Sequence, residues 1–403
     1  MKQTISFLLL LIGLQICFAS DLQDSIVNHD KKIIHSLSVN IGAEYVASSI
    51  GDDIREIIEN DDKIHVNTSL PVNFRYSFSF NNPEIPYYYP ESYQGISVGI
   101  LNFGALQIHG LRKSYQNIGY PVIAYVFQGA PFYHINERIS LNYEWNFGAA
   151  IGWRPYSNKN KYFNLTVGSQ VNAYLHLGLD MQYRIDEQTS LLAGIGVSHF
   201  SNGNTSFPNP GINSFGIRLG MLWTLNPPQK YIPYSSDTIV KKKKIEYNIT
   251  LWGASRKRVY RGNENPVLLP GRYACAGISF SPLVKLNTWW RVGGSIDLQW
   301  DQSSGLKRYY EGGTTTEDIR FSKASVWRQI NCGLAVHGEL RMPIFAVNIG
   351  CGYNLISPIE NRGTYQNITL KTYIGNNFYI NVGYQLLNFY RQSNLMLGAG
   401  VAI

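Results

Sequence analysis

The chain has 403 residues, a formal net charge of +8 and only 15% charged residues, with 28 Tyr, 18 Phe, 8 Trp and 37 Gly. Beyond the N-terminal leader no run of eighteen or more apolar residues occurs, which excludes a helical membrane span. The three cysteines outside that leader, Cys275, Cys332 and Cys351, are too few and too uneven for a disulfide framework, and no helix-turn-helix, zinc-finger or aromatic-basic pattern supports nucleic-acid binding.

Lys2 followed by the apolar run Ile5 to Ile16 and by Cys17-Phe18-Ala19 reads as a secretory signal peptide over residues 1–19. The composition that follows suits a soluble secreted enzyme or a transmembrane β-barrel, which hides its apolar face in alternation rather than in runs. Periodicity decides between them. From Ser36 onward Leu37, Val39, Ile41 and Ala43 share one face and Ser38, Asn40 and Gly42 the other. The acidic stretch Gly51 to Lys63 reads as a long loop. Strands are expected over Val72 to Phe80, Gly95 to Phe103, Tyr120 to Phe127 and Ile139 to Trp153.

The clearest strand is Val171 to Ile185. Val171, Ala173, Leu175, Leu177, Leu179, Met181, Tyr183 and Ile185 form an uninterrupted apolar face, backed by Asn172, Tyr174, His176, Asp180, Gln182 and Arg184. At about 3.3 Å per residue the strand runs roughly 46 Å, enough to cross a thin outer membrane when tilted. Strands this long are unusual in a soluble sandwich, so the fold class is all-β, an outer-membrane antiparallel barrel. A tight turn at Asp186 to Thr189 leads into a hairpin ending at Leu225, near the close of the eighth strand. Eight is the smallest number that closes a membrane barrel.

Asn226 to Ile245, with Pro227-Pro228, Pro233 and Lys241 to Lys244, breaks the pattern and reads as a linker between a first barrel over 20–225 and a second β-rich region over 246–403. Strands resume at Ile249 to Ser255, Tyr273 to Pro282, Trp289 to Trp300, Val326 to Leu340, Phe345 to Leu355, Gln366 to Gly375, Asn377 to Leu387 and Asn394 to Ile403. The alternative is one barrel of about 14–16 strands. Cys332 and Cys351 fall on consecutive expected strands, where they could approach each other or remain free thiols. Tyr379 to Gly400 echoes the hairpin that ends at Leu225, but Leu386 and Asn388 stand where that hairpin has its polar pair, so the echo is chemically blank.

In that hairpin the face of Leu191, Ala193, Ile195 and Val197 continues into His199 and Ser201, while the face of Phe215, Ile217, Leu219, Met221 and Trp223 extends backward to Asn213. An imidazole, a hydroxyl and an amide thus continue two lipid-facing stripes, where polar groups are expensive. On one strand face Ser201 lies about 6.5 to 7 Å from His199 at Cα, within reach of proton transfer from hydroxyl to imidazole, which activates a serine nucleophile. Asn213 can orient the ring through its carbonyl but supplies no charge. Asn202, Gly203 and Asn204 offer amide donors for a developing oxyanion. Alone, His-x-Ser is a weak signal; an interfacial belt of polar residues also explains it.

His199-Phe200-Ser201-Asn202-Gly203, followed by Pro208-Asn209-Pro210-Gly211-Ile212-Asn213-Ser214, resembles the signature of the PagL-type lipid A 3-O-deacylases, also called the acyloxyacyl hydrolase-like family. Gly119-Tyr120-Pro121, Asn146-Phe147-Gly148, Gly152-Trp153-Arg154-Pro155-Tyr156 and Gly168-Ser169-Gln170-Val171-Asn172-Ala173-Tyr174 resemble its longer members. The likeness covers roughly Ser36 to Leu225. It implies an eight-stranded barrel of the Gram-negative outer membrane, with lipid A of lipopolysaccharide as substrate and neither metal nor cofactor. By that resemblance Ser201 matches the nucleophile, His199 the general base and Asn202 an oxyanion-hole residue; the family's nearby glycine falls at Asn204, with Gly203 displaced by one. The family's best-known members carry a glutamate where this chain has Asn213. The rival readings are a non-enzymatic barrel, structural or channel-forming, and a phospholipid deacylase; the sequence leaves homodimerisation open.

Overall fold

The computed structural model describes residues 33–48, 68–103, 119–155, 167–206, 211–228, 245–260, 267–269, 271–310, 319–358, 361–389 and 391–403. The signal segment 1–19, the acidic stretch 51–63 and the lysine run 241–244 lie outside them, as does most of the expected linker. The chain divides into two compact units, each built on its own closed antiparallel barrel.

The first barrel consists of β1 (Ile33–Ser48), β2 (Thr68–Phe80), β3 (Tyr93–Phe103), β4 (Val122–His134), β5 (Ile139–Ile151), β6 (Val171–Arg184), β7 (Thr189–Ser201) and β8 (Ile212–Thr224). Each strand pairs with the next, and β1 pairs with β8 from Ser36↔Thr224 to Ser48↔Ile212. Asn226 clasps this seam: its Oδ1 accepts from the His35 N–H at 2.7 Å and its Nδ2 donates to the Ile33 carbonyl at 2.8 Å.

The second barrel holds β9 (Ile245–Arg256), β12 (Tyr273–Lys285), β13 (Trp290–Asp301), β16 (Ile330–Arg341), β17 (Phe345–Ile356), β18 (Gly363–Ile374), β19 (Phe378–Leu387) and β20 (Arg391–Ala402), and β20 closes on β9. Two small hairpins stand apart from it, β10 (Val259–Tyr260) with β11 (Val267–Leu268) and β14 (Lys307–Tyr310) with β15 (Ile319–Ser322). These closures rule out one barrel of 14–16 strands. The expected strand at Val326 is shorter than its sequence suggests, because Val326–Gln329 forms a 3₁₀ turn and extended structure begins at Ile330.

The two faces of the wall explain why the chain adopts this form. Outward positions carry Phe74, Leu177, Ile195, Ile217 and Leu219, all more than half exposed, while the lumen holds Asn40, Arg75, Glu144, His176 and Asp180, all nearly buried. That inverts the arrangement of a soluble protein and matches a barrel whose apolar band meets lipid.

Charges inside the first lumen are paired. Glu144 accepts from Arg75 at 2.6 Å, from Arg218 at 2.9 Å and from the Tyr93 hydroxyl at 3.2 Å, and Arg218 also binds Asp180. Above this network lies an apolar plug that includes Phe127, Trp153, Tyr174 and Phe200. At the opposite end two connections are four-residue turns held by one device. Asn136 Oδ1 accepts from the N–H groups of Arg138 and Ile139, and Asp186 Oδ1 from those of Gln188 and Thr189, at 2.7 to 2.9 Å. Asx side chains that cap their own turn in this way make short reversals possible. Those amides hold the Asp186 carboxyl below its ordinary range.

The second lumen is organised similarly, with Lys371 on Glu339 at 2.6 Å, Arg341 on Glu246 at 3.3 Å and Arg256 on Asp301. Cys332 is opposite Ile356, whereas Cys351 is opposite Val336. The two thiols are therefore offset by several residues along adjacent strands, beyond the Cα separation a disulfide spans, and both are free.

Candidate active site on the lipid face

Strands β7 and β8 alternate apolar and small residues because one side meets lipid and the other meets the crowded lumen. On the inner side Gly178, Gly196 and Gly216 form a row across β6, β7 and β8, continued by Glu44 on β1 and Glu144 on β5. A Cβ at Gly196 would lie 2.5 Å from His176 Cε1. Glycine is needed there because lumen side chains lie flat against the wall.

On the outer side β7 and β8 pair Val197 with Phe215 and, one outward rung further, His199 with Asn213. Ser201 follows on the same face, opposite Ala173 of β6. His199 and Ser201 are half-buried and Asn213 is exposed. His199 Nδ1 lies 2.6 Å from Asn213 Oδ1. Since an amide oxygen only accepts, the proton sits on Nδ1, and Nε2 is left with its lone pair. Among the described residues the Ser201 hydroxyl has no hydrogen bond, so the structure pairs His199 with Asn213 but does not join Ser201 to His199.

The segment after Ser201 bends sharply. Gly203 and Asn204 both have φ of +62°, the paired positive φ of a type I′ turn, which Gly and Asn tolerate best. Asn202 points inward and is 6% exposed.

Three features of the site escape a reading by strand faces alone. Phe200, between His199 and Ser201, turns into the lumen and stacks on Tyr174 at 5.1 Å with an interplanar angle of 26°, and it meets Trp153 at 5.5 Å. It anchors the two outward residues from behind. Gly211, with φ of +77°, abuts the imidazole: a Cβ there would lie 2.8 Å from His199 Cε1 and 3.6 Å from Nε2. Glu44 bridges Ser198 and Ser214 beneath the His199–Asn213 rung. Alternation alone could have placed Phe200 and Glu44 inside; nothing in the sequence pattern flags Gly211.

A Ser–His–Asn chain is not by itself diagnostic. In the second lumen Ser295 Oγ lies 2.8 Å from His337 Nε2, and His337 Nδ1 lies 2.8 Å from Asn348 Oδ1. Those residues are at most 9% exposed, and Asn348 donates onward to Glu339 at 3.2 Å. They serve to satisfy one another in a closed interior. The outer set differs by facing the lipid. Among the described residues no group of three or more His, Cys, Asp or Glu could hold a metal ion.

Two family models match the chain. One described as lipid A 3-O-deacylase (PagL) matches residues 69–222, and one described as the acyloxyacyl hydrolase C-terminal domain matches residues 245–403. No curated protein matches. Similar solved structures include the Ralstonia pickettii toluene transporter TbuX, 9% identical over 93% of this chain and 89% of that one, with a TM-score of 0.18. The FrpB iron transporter from Neisseria meningitidis is 9% identical over 94% and 75%, with a TM-score of 0.20. The Pseudomonas putida toluene transporter TodX is 9% identical over 93% and 89%, with a TM-score of 0.17. TM-scores of this size leave the architecture to be read from the strand pairing of the chain itself.

Proposed function

Because the chain belongs to the lipid A 3-O-deacylase (PagL) family, with an acyloxyacyl hydrolase C-terminal domain beside it, we propose that it is an esterase of the Gram-negative outer membrane that removes the ester-linked 3-hydroxyacyl chain at the 3-O position of lipid A. The observation that carries this reading is the 2.6 Å contact between His199 Nδ1 and Asn213 Oδ1 on the lipid face. It fixes the tautomer that makes Nε2 a base.

In the proposed reaction Ser201 Oγ attacks the ester carbonyl as His199 Nε2 takes its proton. The carbonyl oxygen becomes an anion, met by amide donors of the Asn202–Asn204 turn. Collapse breaks the bond to the sugar oxygen, which leaves as an alcohol carrying the proton from His199. Water, deprotonated by the same imidazole, then cleaves the acyl-serine and releases a 3-hydroxy fatty acid. Acyl chains of a bilayer substrate can lie against Val197 and Phe215, both more than half exposed beside the rung, so the substrate need not leave the leaflet.

The test uses the purified full-length protein in vesicles that contain lipid A and phospholipid. Release of 3-hydroxy fatty acid with phospholipid left intact supports the reading. Release of fatty acid from phospholipid alone replaces it with a phospholipid deacylase, and no release from either lipid overturns it in favour of a non-enzymatic barrel.

A further inference from the structure

We propose that Glu44 is a positioning residue for the His199–Asn213 pair: from the lumen it ties Ser198 to Ser214, the chain neighbours of that pair, and places behind the wall the negative charge that Asn213 does not carry. This inference rests on the reading of His199 as the base and deepens it.

Ser198 and Ser214 are directly opposite each other on β7 and β8, one residue inside the His199↔Asn213 rung. Ser198 Oγ donates to Glu44 Oε1 at 3.2 Å and Ser214 Oγ donates to Glu44 Oε2 at 2.6 Å. One carboxylate therefore spans both strands, each oxygen holding one. With Glu44 ionised, each serine gives its single O–H to one carboxylate oxygen, and His176 Nδ1, 2.9 Å from Ser198 Oγ, is then the donor to Ser198.

The wall is built to let Glu44 reach this position. Its backbone neighbour on β8 is Gly216, and the next residues across the sheet are Gly196 and Gly178. A Cβ at Gly216 would come within 2.6 Å of Glu44 Cα, so the glycine row clears the floor that the side chain crosses.

Charge is the second half of the argument. An imidazolium that forms during attack is stabilised by a nearby anion, and Asn213 offers only a dipole. A carboxylate bonded to the hydroxyls of the adjacent residues lies on the order of 10 Å from the ring, through a wall one residue thick. The charged and titratable groups around Glu44 are Tyr174 and His176 on β6 and Arg218 on β8, with Arg75, Glu144 and Asp180 behind them. On the outer face His199 is flanked by Leu175 and Asn213.

The experiment is a double-mutant cycle of Glu44→Gln and Asn213→Glu in the full-length protein, with folding of each variant checked by heat-modifiable migration. Glu44→Gln keeps the size and one acceptor but removes the charge. Its kcat should fall about tenfold with KM within about twofold, the size expected for one unit charge at this range. In the Asn213→Glu background, where a carboxylate sits on the ring itself, the same change should cost less than about twofold, because the nearer charge already stabilises the imidazolium. Equal losses in both backgrounds reduce Glu44 to a structural strut and overturn the proposal, as does an unchanged kcat. A measurement that needs no turnover separates this result from failure of the deacylase reading: the His199 Nδ1–H resonance, read by NMR in detergent, should lose the downfield position of its bond to Asn213 on Glu44→Gln. An unchanged resonance overturns the proposal even if the wild type hydrolyses lipid A, and a displaced one upholds it even if lipid A is not the substrate.

Discussion

His199 and Asn213 face each other across one rung of the β7–β8 ladder, Nδ1 to Oδ1 at 2.6 Å. The contact fixes the tautomer without neutralising the charge that forms on the ring. Asn213→Ala removes the orienting acceptor and is expected to lower kcat about 10- to 100-fold, the range of one hydrogen bond to a group that becomes charged. Asn213→Glu is expected to raise kcat. Steady-state kinetics on lipid A vesicles check both.

Gly211 leaves no room for a side chain beside the imidazole. Gly211→Ala places a methyl 2.8 Å from His199 Cε1 and puts a side chain at φ +77°, a backbone state that costs a non-glycine residue about 1–2 kcal/mol. The ring must swing off Asn213. Activity is expected to fall about 100-fold while the barrel still migrates as a folded species; wild-type kinetics in this variant would show that the ring has room.

Phe200 holds the two outward residues from inside. Phe200→Ala opens a cavity among Tyr174, Trp153 and Phe103 and is expected to cost about 3–5 kcal/mol. Urea unfolding in detergent reads the loss. Activity should fall too, because the residues on either side lose their anchor.

Arg218 serves two buried carboxylates, Glu144 and Asp180. Arg218→Met leaves Asp180 with an unpaired charge and Glu144 with Arg75 alone, and is expected to destabilise the first barrel by about 3–5 kcal/mol. The same urea titration checks it. Adding Asp180→Asn to that variant should restore part of the loss.

The strands were legible because a lipid-facing wall forces strict alternation: the eight apolar positions from Val171 to Ile185 match β6 to within one residue. Closure was not. Whether β8 returns to β1 or continues into β9 is a contact between residues nearly 190 apart, such as Ser36 and Thr224, and periodicity carries no information about it. The hairpins β10–β11 and β14–β15 have strands of two to four residues, too short to show a period. At the site, His199, Ser201 and Asn213 were visible because polar residues interrupt apolar stripes. Glu44 was hidden because its partners are 154 and 170 residues away, and Gly211 because its role is the absence of a side chain. Cys332 and Cys351 do lie on adjacent strands, but register, which sequence spacing does not reveal, keeps them apart.

Mass spectrometry of lipid A from Gram-negative cells expressing the wild-type chain or Ser201→Ala tests the central claim most directly. The account predicts that the wild type removes the mass of one ester-linked 3-hydroxyacyl group, that fragmentation locates the loss at the 3-O position, and that Ser201→Ala restores the full-length species. Lipid A of unchanged mass in cells with folded wild-type protein, or the same loss in Ser201→Ala, would contradict it.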